Sequence, residues 1–151
     1  MGRILGIDYG EVRTGLALSD MSETLASPFK TLKMAKDPKI SIEKLLKEIA
    51  EHTIIRLVVG LPLLLSGKES NMTQTVKVFA KNLEMASSLP LILWDERLTS
   101  KEVERLMIEA KVKRKKRTSH LDTLSATLIL QSYLDSKKKA IKKYSQNSSF
   151  F

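Results

Sequence analysis

The sequence predicts an α/β domain built on a mixed five-stranded sheet covered by helices. Three observations predict it. Three short strand-like runs fill the first 33 residues, with turn residues between them, as in an antiparallel meander. From Asp37 onward, helix-like and strand-like runs alternate, the pattern of parallel strands joined by helices. The 151 residues contain no internal repeat and no linker that would divide them, a length that suits one domain with a real core.

Arg3–Asp8 reads as a buried first strand, and Thr14–Ser19 as a second that pairs with it across a Gly-containing turn. Leu25–Lys33 reads as a third strand, placed at an edge because Pro28 cannot donate to a ladder. Asp37-Pro38 opens a helix with Ile42, Leu45, Leu46 and Ile49 on one face. Ile54–Gly60 is β-branched and strand-like, and Leu61–Ser70 is a loop around Pro62 and Gly67. Asn71–Ala86 is amphipathic, with Met72, Val76, Phe79, Ala80 and Leu83 on one face. Leu89–Trp94 reads as the last strand. Thr99-Ser100-Lys101-Glu102 is a capping box that starts a third helix through Val103, Leu106, Met107 and Ala110. Ser119 starts a fourth helix to about Lys139, apolar on most sides from Leu124 to Leu134 and therefore expected to be buried. The expected organisation is one domain over 1–140 and a basic, polar tail over 141–151.

Composition narrows the chemistry. There is no cysteine, which removes disulfides, thiol catalysis and cysteine-bound zinc and suits a reducing compartment. Neither a signal-peptide pattern nor an apolar run of about 18 residues is present, so a cytoplasmic protein with no membrane partner is expected. The net charge is +9, and all of the excess is C-terminal. Residues 1–110 carry 15 basic and 15 acidic side chains; residues 111–151 carry 11 basic side chains against Asp122 and Asp135. The densest run is Lys111-Val112-Lys113-Arg114-Lys115-Lys116-Arg117, followed by Lys137-Lys138-Lys139 with Lys142 and Lys143. Clustered like charge repels itself and suits a polyanionic partner, nucleic acid above all. A solvated loop without a partner is the plainer reading.

Three acids stand where strands end or helices begin. Asp8 ends the first strand between glycines, Glu96 follows the last strand, and Asp122 lies in the first turn of the last helix. Functional groups of open α/β sheets gather at the carboxyl ends of the strands. Carboxylates that converge there raise one another's pKa unless a cation compensates. Mg²⁺ or Mn²⁺ takes oxygen ligands and keeps waters. A pair of such ions about 3.5–4 Å apart activates water against a phosphodiester. Each acid also has a structural reading. Asp122 belongs to Ser119-His120-Leu121-Asp122, itself a capping-box pattern. Glu96 has Arg97 or Arg13 to pair with, and Asp8 has the turn at Gly10 to cap. Asp95, Asp20 and His120 are weaker candidates for assisting roles.

Four motifs occur in one order: Gly-Ile-Asp-Tyr-Gly-x-x-Arg-Thr-Gly-x-Ala-x-Ser-Asp (6–20), Val-Val-Gly-Leu-Pro-Leu (58–63), Asp-Glu-Arg-Leu-Thr-Ser (95–100) and Leu-Asp-x-Leu-Ser-Ala-x-x-Ile-Leu-Gln-x-Tyr-Leu-Asp (121–135). Together they resemble the YqgF/RuvX family over about residues 4–135. The resemblance implies a ribonuclease-H-like fold, similar to Holliday junction resolvases of the RuvC type. It also implies a nuclease that processes the 5′ end of pre-16S ribosomal RNA in ribosome biogenesis, with Holliday junction resolution as the older assignment. Matched residue by residue, the family's catalytic and metal-binding acids fall on Asp8, Glu96 and Asp122. Arg13 matches the motif arginine and Arg97 follows the matched glutamate; a planar guanidinium at either suits a phosphate. Leu64 and Leu65 stand where the family commonly has polar residues.

Three functions compete. The first is a nuclease that uses Mg²⁺ or Mn²⁺, holds its strand through Lys111, Lys113, Arg114, Lys115, Lys116 and Arg117, and acts as monomer or homodimer on precursor ribosomal RNA or branched DNA, ribosomal particles included. An ATP-using enzyme of the actin and sugar-kinase type is the second. The chain is short for it, and Gly60 to Gly67-Lys68-Glu69 does not have P-loop spacing. The third is a non-catalytic RNA-binding assembly factor, which lacks aromatic residues within its basic runs.

Overall fold

A computed structural model describes residues 2–99 and 118–148 of the chain. Strands β1 (Arg3–Asp8), β2 (Arg13–Ser19), β3 (Ala26–Lys33), β4 (Ile54–Leu61) and β5 (Leu91–Asp95) form one sheet in the order β3-β2-β1-β4-β5. The pairs β1/β2 and β2/β3 are antiparallel, and β1/β4 and β4/β5 are parallel. This is the mixed five-stranded sheet expected. Pro28 lies on the edge strand β3, opposite Ala17, next to a register shift between Leu16 and Ala17. An edge tolerates the missing donor and a bulge absorbs the irregularity.

Helix α1 (Pro38–Ile49) begins at an Asp37 cap whose carboxylate accepts from the Lys39 amide at 2.9 Å, with Pro38 in the first turn. Helix α2 (Asn71–Ser87) begins at Ser70 with a reciprocal capping box to Thr73. Both helices cover one face of the sheet. There Leu5, Ile7, Leu16, Leu18, Leu57 and Val59 meet Ile42, Leu45 and Ile49 of α1 and Val76, Phe79, Ala80 and Leu83 of α2. Helix α3 (Thr118–Ser148) crosses the other face, packing Ala126, Ile129, Leu130, Tyr133 and Leu134 on Ile4, Ala17 and Val58.

The structure departs from the sequence reading in three places. Strand β5 starts at Leu91, two residues later than expected. The Leu89 amide is engaged by the Ser87 hydroxyl at 3.2 Å, and Pro90 offers the sheet only its carbonyl, which accepts from Leu57 at 2.9 Å. Helix α3 begins at Thr118, buries one face rather than most of its circumference, and runs on to Ser148, past the expected end near Lys139. Lysine and alanine in 137–140 are good helix formers and do not stop it. Between β5 and the next described residues, Glu96–Leu98 form a single 3₁₀ turn capped by Asp95. The helix expected through Val103 and Ala110 lies outside the described residues.

Candidate active site

Strand alternation fixes where Asp8 can act. Ile4 faces α3, so Gly6 and Asp8 face α3 as well, while Leu5 and Ile7 face α1 and α2. Asp8 lies directly opposite Gly15 on β2. On its other side, Ile7 pairs with Val59 of β4, which puts Gly60 beside the end of β1. Gly60 in turn pairs with Trp94, and Leu61 with Asp95, so Glu96 begins where the β4/β5 ladder ends. Three neighbouring strands thus deliver Asp8, Gly60 and Glu96 to one end of the sheet.

Two glycines make room there. A Cβ on Gly15 would lie 2.0 Å from the Asp122 carbonyl oxygen and 3.0 Å from the Asp122 Cβ. A Cβ on Gly60 would lie 2.7 Å from Glu96 Oε1 and 2.5 Å from Ile129 Cδ1. Neither distance is possible for a real side chain, so Gly15 admits the start of α3 and Gly60 admits the Glu96 carboxylate.

The electrostatics follow from that crowding. Asp8 is pushed up to about 7, first by burial, then by the charge of Glu96, then by that of Asp122. Glu96 is raised by burial and then by neighbouring Asp95. Asp122 is raised by burial, with Arg13 pulling the other way. Among the described residues, the buried Asp122 Oδ2 atom has no hydrogen-bond partner, and its charge neighbour is Arg13 Nε at 3.4 Å. Carboxylates in this condition call for a cation.

The other expected site residues divide. Arg13 is at the site through Asp122. Arg97 is committed elsewhere: its Nε and Nη2 donate to Asp95 at 3.1 and 2.7 Å, and its Nη1 donates to the Leu65 carbonyl at 3.3 Å. It ties β5 to the 61–70 loop, and it holds the Asp95 carboxyl below the usual range. Asp20 is not at the site. It closes the β2–β3 turn by accepting from the Thr24 and Leu25 amides at 2.7 and 3.1 Å and from the Ser22 hydroxyl. Lys111, Lys113, Arg114, Lys115, Lys116 and Arg117 lie outside the described residues, as does the His120 side chain. The Gly15 and Gly60 contacts were missed from sequence; the signal was a glycine early in β2 and another late in β4, the two strands that flank β1.

The donor set suits a hard divalent cation in kind, being all carboxylate oxygen. It does not enclose one as it stands: among the described residues, no three His, Asp or Glu side chains are grouped closely enough to hold a metal ion. Asp122 leans on Arg13 instead.

A family model described as "RuvX: Holliday junction resolvase" matches residues 2–136. The chain belongs to the RuvX family. A RuvX relative from Protochlamydia amoebophila (strain UWE25), named "Putative pre-16S rRNA nuclease", is 43% identical over 141 residues, covering 89% of this chain and 94% of the relative. Another of the same name, from Thermoanaerobacter pseudethanolicus (strain ATCC 33223 / 39E), is 42% identical over 137 residues, 90% of this chain and 98% of the relative. Among solved structures, T. thermophilus RuvC in complex with a Holliday junction substrate matches with a TM-score of 0.56 at 15% identity, over 90% of this chain and 96% of that one. The yeast mitochondrial Holliday junction resolvase Ydc2 matches with a TM-score of 0.61 at 12% identity, over 99% of this chain and 85% of that one. At such identities the likeness is one of fold, and the fold is ribonuclease-H-like. No helix among the described residues is long and apolar enough to cross a membrane.

Proposed function

We propose that this RuvX protein is a divalent-metal-dependent nuclease that hydrolyses phosphodiester bonds near the 5′ end of pre-16S ribosomal RNA. The observation that carries this reading is Asp8, a strand-end carboxyl made hard to ionise by burial and by the charges of Glu96 and Asp122. Burial and like charge make its carboxylate form costly, and a cation beside it would offset that cost. Asp8, Glu96 and Asp122 would hold Mg²⁺ or Mn²⁺. When bound, that ion would supply Lewis acidity at a phosphoryl oxygen and a nucleophilic water at neutral pH.

The chain's own residues do the rest. The sheet end orients Asp8 from β1 and Glu96 from the end of β5, on either side of β4, and Gly60 lets Glu96 lie close against β4. Arg13, paired with Asp122 here, would be free to turn to a substrate phosphate with a cation held at Asp122. Arg97 acts through Asp95 and Leu65, holding the loop beside Glu96. The basic run 111–117 supplies attraction for the polyanion. Ribosomal RNA is favoured over branched DNA because the relatives near 40% identity carry the RNA name, whereas the junction-bound RuvC is 15% identical. A chain without cysteine suits the reducing cytoplasm where that RNA and its particles are assembled. Trimming one RNA end needs only a monomer, whereas cutting a junction on two strands would favour a homodimer. The domain responsible is taken as 1–140.

The test is a side-by-side cleavage assay with Mg²⁺ or Mn²⁺ on a structured pre-16S RNA fragment and on a four-way DNA junction. The wild-type chain should cut the RNA, and Asp8→Asn should lose at least about a hundredfold in rate, the scale of removing one transition-state stabilising group. Full activity of Asp8→Asn on both substrates would remove the mechanism.

A further inference from the structure

A cavity of about 650 Å³ opens on the face of the sheet opposite Asp8, between the end of β1 and helices α1 and α2. Its size is that of a small-molecule site. Tyr9 lines it and follows Asp8 directly in the chain. Alternation sends the two side chains to opposite faces of the same strand end, so a strand that crosses that end with its phosphate at Asp8 also passes the cavity mouth. This rests on the nuclease reading above.

We infer that the cavity takes the base of the nucleotide next to the cleaved phosphodiester. The lining matches a base better than a phosphate. Tyr9 is stacked on Phe79 with ring centroids 4.2 Å apart and planes 22° apart, giving an aromatic wall of the kind on which bases stack. Glu11 also lines the cavity, which repels a phosphate and accepts from a base amino group. Asn82 of α2 adds an amide that reads a base edge and has no side-chain hydrogen-bond partner among the described residues, whereas the Gln74 amide nitrogen already donates to Glu69. Lys36 is the lining cation, suited to the phosphate that follows the captured base. Val78, 61% exposed on α2, lines the same cavity.

The test uses the full chain with Mg²⁺ or Mn²⁺ and whichever nucleic acid is cleaved in the assay above. Its cut bond is mapped, and then single abasic positions are walked through the strand around that bond. One abasic position beside the bond should lower kcat/KM about tenfold, the order of one base–aromatic stack, while other positions stay within about twofold. Val78→Trp, which fills the cavity from an exposed helix position, should lower kcat/KM on the intact strand by the same factor and abolish the difference between intact and abasic strands. Asn82→Ala should reduce that difference without changing the thermal melt. A flat abasic walk with cleavage intact overturns the inference and leaves the nuclease reading standing. A flat walk together with thermal stabilisation by AMP or UMP overturns it in favour of a free nucleotide as the occupant. Cleavage of neither nucleic acid overturns the nuclease reading, and the base site with it.

Discussion

Asp8 is the residue at which stability and the proposed function oppose each other. In the metal-free protein its folded pKa is about 7, well above the ordinary carboxylate value. Below about pH 4 the group is protonated in both folded and unfolded chains and has no effect. Between about pH 4 and pH 7 the folded state holds a proton that the unfolded state has released. Stability therefore falls as pH rises through that window and stays lowered above it. Asp8→Asn removes the penalty, so the metal-free variant should melt higher than wild type at pH 8. A gain on the order of 2–4 kcal/mol is expected, or roughly 5–15 °C for a chain of this size. The gap should close toward pH 4. Adding Mg²⁺ or Mn²⁺ at pH 8 should raise the wild-type melting temperature and leave Asp8→Asn nearly unmoved, read by differential scanning fluorimetry. Equal melting temperatures for the two proteins at pH 8 without metal would show that Asp8 is not strained by its surroundings.

At the scale of elements, the site depends on how α3 sits on the sheet. Leu130 is fully buried between α3 and the strands, and Leu130→Ala should cost about 2–5 kcal/mol by chemical denaturation. Gly15→Ala is the more specific probe, because its Cβ would meet the backbone of Asp122, which cannot swing away as a side chain can. It should destabilise by about 1–3 kcal/mol and lower cleavage further than Leu130→Ala at equal folded fraction, since it displaces Asp122 itself. The strands and the first two helices were legible in sequence, because alternation, Asp37-Pro38 and Ser70 with Thr73 are local signals. The start of β5 was not, because Pro90 reads as strand by its neighbours and as a border by its missing donor. The single buried face of α3 was not legible either. Leu124 and Leu128 have the same apolar character as Leu130, and only the sheet decides which of them it covers. The acids were legible as a set through their ordered motifs. Their mutual geometry was not: the glycine seats, the Arg13–Asp122 pair and the Arg97–Asp95 clasp depend on partners that only folding brings together.

Over the whole molecule, the proposed chemistry and the proposed attraction are separated along the chain. Residues 1–110, which carry Asp8, Arg13 and Glu96, balance 15 positive against 15 negative side chains, and the +9 excess belongs to residues 111–151. Binding should therefore be strongly salt-dependent and cleavage chemistry much less so. If five side chains of the 111–117 run neutralise phosphates, log K against log salt on a single strand should slope near −3.5, from about 0.7 per contact. Replacing Lys113, Arg114, Lys115 and Lys116 with alanine should flatten that slope to about −0.7 and raise KM while sparing kcat. An unchanged slope would place the binding surface elsewhere. RNA hydrolysis with a divalent cation at the Asp8, Glu96 and Asp122 end of the sheet is the proposed activity. It is tested most directly by cleavage of a pre-16S RNA fragment by wild type and Asp8→Asn, with and without Mg²⁺ or Mn²⁺. Cleavage that requires both the metal and the Asp8 carboxylate is the predicted result. Equal cleavage by the two proteins, or cleavage that survives chelation, would contradict it.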